Sequence, residues 1–180
     1  MKRYFLPLLL LVVYFSAPAA DLSPRVSRGT IVAMEKSFDN RVERLWDDNP
    51  FVLLGPTRGV YLEGYGCVFT TEVNLATGPT MLMQLEVSKD DVEKHRQKKL
   101  KRVPELITAM RQALVASAAS LDPVPGDEQI VMVTFLSRYP WEDVTGLPTQ
   151  ITMQAQKKKL LDAQRVGGAG LEEAIRVTVN

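Results

Sequence analysis

Residues 59–75 constrain the fold most, because their pattern predicts two β-strands joined by a tight turn. Residues 60–62 form the first predicted strand and residues 67–73 the second. In the second strand Cys67, Phe69, Thr71 and Val73 fall on one face, which is the strand period of two. Gly64 precedes Tyr65 between the strands, as in a type II′ turn, which needs a positive φ at its first central residue. The sequence therefore predicts a β-hairpin from which a sheet extends.

An amphipathic helix is predicted before the hairpin. Its apolar residues recur at spacings of three and four: Ile31, Met34, Phe38, Val42 and Leu45. Ser23 and Pro24 are a helix-start signal, although Gly29 weakens the first turns and allows a start near Thr30. Pro50 disfavours helix at the residue before it and predicts the end.

A longer helix is predicted after the hairpin. Ser88 suits its N-cap, and Asp91 follows three residues later, close to a capping box. Pro104 predicts either a kink or a second helix that begins there. The apolar stripe in its second half consists of Val103, Leu106, Ile107, Met110, Leu114 and Ala118.

The remaining segments are mostly predicted strands. Residues 51–54 read as a short strand that ends in a turn at Gly55 and Pro56, and residues 81–87 as a strand that extends the sheet or covers its edge. Residues 129–136 are apolar on both faces and predict a central strand. Alternating strands follow at 151–156 and 175–179, with helical segments at 157–164 and 171–174. This order predicts an α+β fold, with a mainly antiparallel sheet built on the central hairpin and packed against an N-terminal helix and a long Pro-interrupted helix.

The N-terminus has the features of a secretory signal peptide. Lys2 and Arg3 precede a twelve-residue apolar run at 4–15, and Ala17 and Ala19 form an A-x-A cleavage pattern. The alternative is an uncleaved anchor, but the run is short for a membrane span, which needs about 20 residues. We therefore expect a signal peptide at 1–19, one α+β domain at 20–180, and a periplasmic or secreted protein without a further membrane span.

Composition narrows the classes of function. Loss of Lys2 and Arg3 would remove two positive charges and change the formal net charge from +1 to −1, so we expect no general nucleic-acid binding. Cys67 is the single cysteine, so no intrachain disulfide can form. We expect it to be buried and chemically quiet; a nucleophile or an intermolecular bridge is the alternative.

The sequence predicts no cofactor, metal site or catalytic residue. His95 is the single histidine and stands among cations, where we expect an exposed helix face. A pair of His95 with Cys67 would be a nucleophilic site only if the fold brought them together. The adjacent acids Glu142 and Asp143 are typical of solvated loop residues.

Two segments are candidate partner-binding surfaces. The first is the basic run 94–102, from which Lys94, Lys98, Lys101 and Arg102 fall near one side of a helix. The alternative is a solvated helix face. The second is the loop 139–148, where Tyr139 and Trp141 could contact a partner or pin the loop to the core.

Three features together resemble a family of uncharacterised secreted bacterial proteins: the hairpin at 59–75, the run Ser-Ala-Ala-Ser-Leu at 117–121 and the Tyr-Pro-Trp-Glu-Asp loop at 139–143. The resemblance implies no activity. We expect a non-catalytic binding or assembly protein that contacts an unknown protein or envelope component. The alternatives are a hydrolase with an unrecognised site and a protein that binds anionic surfaces through residues 94–102.

Overall fold

A five-stranded sheet covered on one face by helices forms this protein. The structure, a computed structural model, describes residues 26–46, 52–78, 87–166 and 169–180. The strands are β1 (Val52–Leu62), β2 (Gly66–Asn74), β3 (Gln129–Leu136), β4 (Gln150–Gln156) and β5 (Arg176–Val179). The helices of the described ranges are α1 (Arg28–Glu43), α2 (Lys89–Ser120), α3 (Lys157–Val166) and α4 (Ala169–Ala174). The predicted α+β fold is confirmed.

The sheet follows the chain in the order β1-β2-β3-β4-β5. Three of the four pairings are antiparallel, and the pair β2–β3 is parallel, because α2 carries the chain back between these two strands. Strand β3 is central, as its sequence predicts. Segment 81–86, which includes most of a predicted strand, lies outside the described residues.

The central hairpin is confirmed, but its turn differs from the prediction. Tyr65 N donates to Leu62 O over 3.0 Å, so Gly64 is the third residue of the turn and not the second. Its φ of +77° explains why glycine is needed there. The predicted turn at Gly55 and Pro56 is wrong, because β1 runs through both residues and absorbs them as register shifts against β2.

Helix α1 protects the free edge of β1. The carboxylate of Asp39 accepts from Thr57 N over 3.0 Å, and Glu35 Oε1 accepts from Gly59 N over 2.7 Å. Arg28 donates to Gly59 O over 2.9 Å. Side chains from one helix therefore occupy backbone groups that an edge strand otherwise offers to another chain.

The helices form one layer on the sheet. Ser27 caps α1 and Ser88 caps α2, each by accepting from the backbone N–H three residues on. Ser23 and Pro24 lie outside the described residues, as do 47–50, where α1 was predicted to end. Helix α2 continues through Pro104, so no second helix begins there. The buried core includes Ile31, Phe38, Phe69, Leu106, Met110, Leu114, Ile130, Ile151, Met153 and Leu160.

Candidate functional site

A buried cluster joins α2 to the loop between β3 and β4. Glu142 Oε2 lies 2.5 Å from Lys99 Nζ, and Glu142 Oε1 lies 3.0 Å from His95 Nε2. The side chains of Glu142, Lys99 and His95 are 1%, 3% and 10% exposed. Because a carboxylate accepts only, the hydrogen bond places a proton on Nε2 of His95. The expectations of an exposed His95 and a solvated Glu142 are therefore wrong.

The ionised form of Glu142 is favoured despite its burial. Burial acts to raise the pKa of Glu142, but hydrogen bonds from His95 and Lys99 together with the charge of Lys99 outweigh it, and the pKa falls below its usual value. Burial lowers the pKa of Lys99, against the hydrogen bond and charge of Glu142. Lys99 also donates to Ser137 O over 3.2 Å. The cluster holds a loop in place by a charge pair that is shielded from water.

Tyr139 and Trp141 pack within the same junction. Their rings are stacked at 5.7 Å between centroids, and the Trp141 ring lies 4.8 Å from the His95 ring. A Cβ at Gly78 would collide with Trp141, so the chain after β2 passes directly against this ring. The half-buried aromatic pair therefore packs against its own chain. Of the two interpretations offered by the sequence, the structure agrees with the one in which these rings pin the loop to the core.

The predicted basic surface is divided between the exterior and the interior. Lys94 and Lys101 are exposed and Lys98 is half-buried, whereas Arg102 is buried. Arg102 Nη1 donates to Leu75 O over 2.8 Å, and its guanidinium lies 4.6 Å from the Trp46 ring centroid. The expectation of a solvated face is wrong for Lys99 and Arg102, because both turn towards the sheet.

The space beside the charge cluster is small. A cavity of about 20 Å³ is lined by Lys99, Glu142, Ser137 and Arg138, with Leu75, Leu136, Val144, Leu147 and Pro148 around them. Such a volume holds about one water molecule. The junction therefore has no room for a substrate in this structure.

A second buried polar cluster lies at the tip of the hairpin. Glu128 Oε1 accepts from Tyr61 OH over 3.2 Å and from Gly64 N over 3.1 Å. Lys157 Nζ donates to three carbonyls, those of Leu121, Asp122 and Val124. These contacts tie the hairpin to the ends of α2 and β4.

Cys67 lies close to this second cluster and is fully buried. Burial and the charge of Glu128 raise the pKa of the thiol to about 11, although Lys157 acts to lower it. The thiolate is the nucleophilic form of cysteine, and this environment disfavours it. The predicted burial is confirmed.

The side of the sheet away from the helices is left uncovered by the described helices. We call it the outer sheet face. Its side chains, assigned from strand alternation and register, are Arg58, Val60, Leu62, Val68, Thr70, Glu72, Gln129, Val131, Val133, Phe135, Gln150, Thr152, Gln154, Gln156, Arg176 and Thr178. Helix α2 contacts both α1 and α3, and the three helices form one layer against the opposite side. No helix of the described ranges therefore covers this face.

The outer sheet face is apolar in its middle and polar at one side. Val68, Val131 and Val133 occupy the two central strands, where Val131 is buried and the other two are half-buried, and Val60 and Phe135 beside them are 49% and 45% exposed. Gln154 and Thr152 continue the same cross-strand rows on β4. This distribution is typical of a protein interface, with an apolar centre and a polar rim.

The register shifts in β1 open a hollow in this face. It measures about 260 Å³ and is lined by Leu54, Gly55, Pro56, Arg58, Thr70, Thr71, Glu72 and Phe135. At the opposite end of the same strand, Val60 and Leu62 remain about half exposed. Strand β1 thus borders the hollow at one end and carries the exposed side chains of Val60 and Leu62 at the other.

Sequence reasoning missed both the buried cluster and the outer sheet face. Projecting the stripe of α2 backwards from Val103 by steps of four reaches Lys99 and then His95, so helical spacing already places them on the packed side. For the sheet, the apolar residues on both faces of β3 predict that other elements pack against both sides. The described helices pack against one side.

Among the described residues, no group of three or more His, Cys, Asp or Glu side chains is placed to hold a metal ion. Within the same ranges, none of the helices has the length and apolar character needed to cross a membrane. No family model matches the chain, and comparisons with curated proteins and with solved structures find no match. The function is therefore argued from the geometry alone.

Proposed function

We propose that this chain is an exported, non-catalytic binding or assembly protein of the bacterial envelope, and that it contacts its partner through the outer sheet face. The export part rests on the basic, apolar and small-residue regions at 1–19 and on the resemblance to secreted bacterial proteins. The binding part rests on one observation, the apolar face of the sheet that no described helix covers.

The distribution of apolar exposure supports the binding part. Leu54, Val60, Leu62 and Phe135 are each close to half exposed and belong to two strands of one sheet. Exposed apolar side chains cost free energy to hydrate, and several of them on one face of a sheet are a feature of interaction sites. A partner that buried this face would remove that cost.

The polar clusters support a non-catalytic function. Glu142 is held by Lys99 and His95, and the cavity beside it holds about one water molecule. Cys67 is fully buried with a raised pKa. Glu142 therefore has structural partners and little space beside it, and Cys67 is buried as the thiol, whereas a catalytic site needs both a reactive group and a space for substrate.

Site-specific photo-crosslinking in intact cells tests the binding part. A photo-reactive amino acid is placed at Val60 or at Phe135 in the full chain, the intact cells are irradiated, and the envelope fraction is then analysed. We expect covalent adducts from both positions. Val166 is the matched control, because it is an apolar residue that is 84% exposed at the end of α3 and away from the sheet.

An absence of adducts from Val60 and Phe135, or equal adducts from Val166, would contradict the proposed face. Export is tested separately by the intact mass of the chain recovered from the envelope fraction. We expect the mass of a chain whose first residue is Ala20. A chain that retains residues 1–19 would contradict signal cleavage.

A further inference from the structure

We infer that the occupant of the outer sheet face is a second copy of this chain, packed face to face in a two-fold dimer in which Leu62 of each copy enters the hollow of the other. This inference rests on the proposed function, because it names the partner of the same face. Its first support is area. Five strands at about 4.8 Å spacing and eight paired residues at about 3.3 Å each give a footprint of about 600 Å² per copy.

Two such footprints amount to about 1,200 Å², which reaches the lower bound of stable protein interfaces. The two free edges of the sheet offer a second copy less surface than the face does. On β1, side chains of α1 occupy the outward N–H groups of Thr57 and Gly59. On the other side β5 is only four residues long. The face, and not an edge, is therefore where a copy can pack.

The second support is shape. A two-fold interface must be self-complementary, since each copy supplies the same patch. The hollow lies at the end of the face that carries Glu72 and Phe135, and Leu62 projects at the opposite end, where β1 pairs with Gly66. A two-fold axis across the strands exchanges these two ends. Each Leu62 then meets the hollow beside Leu54 of its partner, and the contact is made twice.

The geometry resembles an aligned sandwich of two sheets. Sheets that pack face to face lie about 10 Å apart with their strands about 30° from one another, and their aliphatic side chains interdigitate. Val68, Val131 and Val133 would form the centre of that layer. A second copy supplies a sheet of the same twist and the same side chains without any further partner.

The test uses the exported protein purified from the envelope fraction, measured by sedimentation velocity over a concentration series. We expect a dimer with a dissociation constant of about micromolar, as befits an interface at the lower size bound. Leu62→Lys and Phe135→Lys should each raise that constant by about 30-fold or more. Val166→Lys is the control and should leave it unchanged. Circular dichroism melts recorded below the dissociation constant, where the parent is also monomeric, should be the same for the three variants and the parent, because all three positions are exposed.

Cysteine pairing tests the orientation independently of those variants. Leu62→Cys combined with Leu54→Cys should give a disulfide-linked dimer under mild oxidation. Neither single variant should do so at a comparable rate, because the axis places each position opposite the other one. The parent is the control, since its buried Cys67 cannot reach another copy.

A monomer throughout the concentration series would overturn the dimer. So would a dimer that survives Leu62→Lys and Phe135→Lys, or single-cysteine linkage as fast as that of the pair. Photo-crosslinks from Val60 and Phe135 to a different protein, found together with a monomer, would leave the proposed function standing and refute only this inference. If neither photo-crosslinks nor a dimer were found, both the proposed function and this inference would be refuted.

Discussion

The carboxylate of Glu142 lies 2.5 Å from the ammonium of Lys99, and both side chains are almost completely excluded from water. The two residues come from a loop and from the middle of a helix that are far apart in the chain. Taking two charges out of water is costly, and their attraction compensates only while both are present. This pair is therefore a buried, mutually dependent part of the attachment of the loop 139–148 to α2, beside the contacts of His95 with Glu142 and Trp141.

We expect Glu142→Gln to destabilise the fold by about 3–5 kcal/mol, because it leaves the Lys99 ammonium buried without its counter-charge. Denaturant unfolding gives the free energy directly. Glu93→Gln is the control, since Glu93 is an exposed acid on α2, the helix that carries Lys99. This change should leave the unfolding midpoint nearly unchanged. Adding Lys99→Met to Glu142→Gln should recover much of the loss. Equal stability of Glu142→Gln and the parent would contradict a charged pair.

Protonation of Glu142 should reduce the stability of the fold in acid. The pKa of Glu142 is lower in the folded protein than its usual value of 4.5, so the unfolded chain binds its proton first. The stabilisation is fully present above pH 4.5 and is lost as the pH falls through the folded pKa. The difference in unfolding free energy between the parent and Glu142→Gln should therefore shrink below pH 4.5. A constant difference down to pH 2 would indicate that Glu142 does not titrate in this way.

Two glycines of the hairpin should differ in their tolerance of a side chain. Gly64 has a φ of +77° with open space around it, so Gly64→Ala should cost only backbone strain, about 1–2 kcal/mol. Gly66 has a φ of +127°, and a Cβ there would collide with the backbone of Gln129. Gly66→Ala should therefore cost clearly more, because it also disturbs the start of the β2–β3 pairing. The comparison is made by thermal or denaturant melts, and equal effects would refute the close approach of the strands.

The basic segment should separate into a structural part and a surface part. Arg102→Gln should destabilise the fold by about 1–3 kcal/mol, because it removes the bond to Leu75 O and the contact with Trp46. Lys94→Gln with Lys101→Gln should leave stability unchanged and should weaken co-sedimentation with anionic vesicles at low salt. We expect that binding to vanish near physiological salt, since exposed charges are screened beyond about 8 Å. Strong binding at physiological salt, abolished by the two lysine changes, would make this helix the functional surface.

The main elements could be predicted from local patterns. Alternation identifies β2 and β4, an apolar run on both faces identifies β3, and the spacing of Leu106, Met110 and Leu114 identifies the packed half of α2. Ser88 marks the start of that helix through its own side chain. These signals are local, because hydrogen bonding within a helix and the direction of a side chain along a strand depend on near neighbours in the chain.

The partners of polar residues could not be predicted in the same way. Glu142 and Asp143 are adjacent acids, yet Glu142 is buried and Asp143 is substantially exposed. Lys99 and Lys101 are both part of one basic run, and only Lys99 meets a counter-charge in the interior. Helical spacing places Lys99 on the packed side of α2, but the group that it meets there comes from more than forty residues away in the chain, which leaves no trace in local composition.

The sequence by itself determined the α+β class, the hairpin at the centre of the chain and the burial of Cys67, because each follows from the periodicity of apolar residues. Tertiary structure alone decided the parallel pairing of β2 with β3, the cover of the β1 edge by Glu35 and Asp39, and the placement of every described helix on the side opposite the outer sheet face. The reason is physical. An apolar pattern states that a side chain avoids water, but it does not state whether the surface that excludes water belongs to the same chain or to another one.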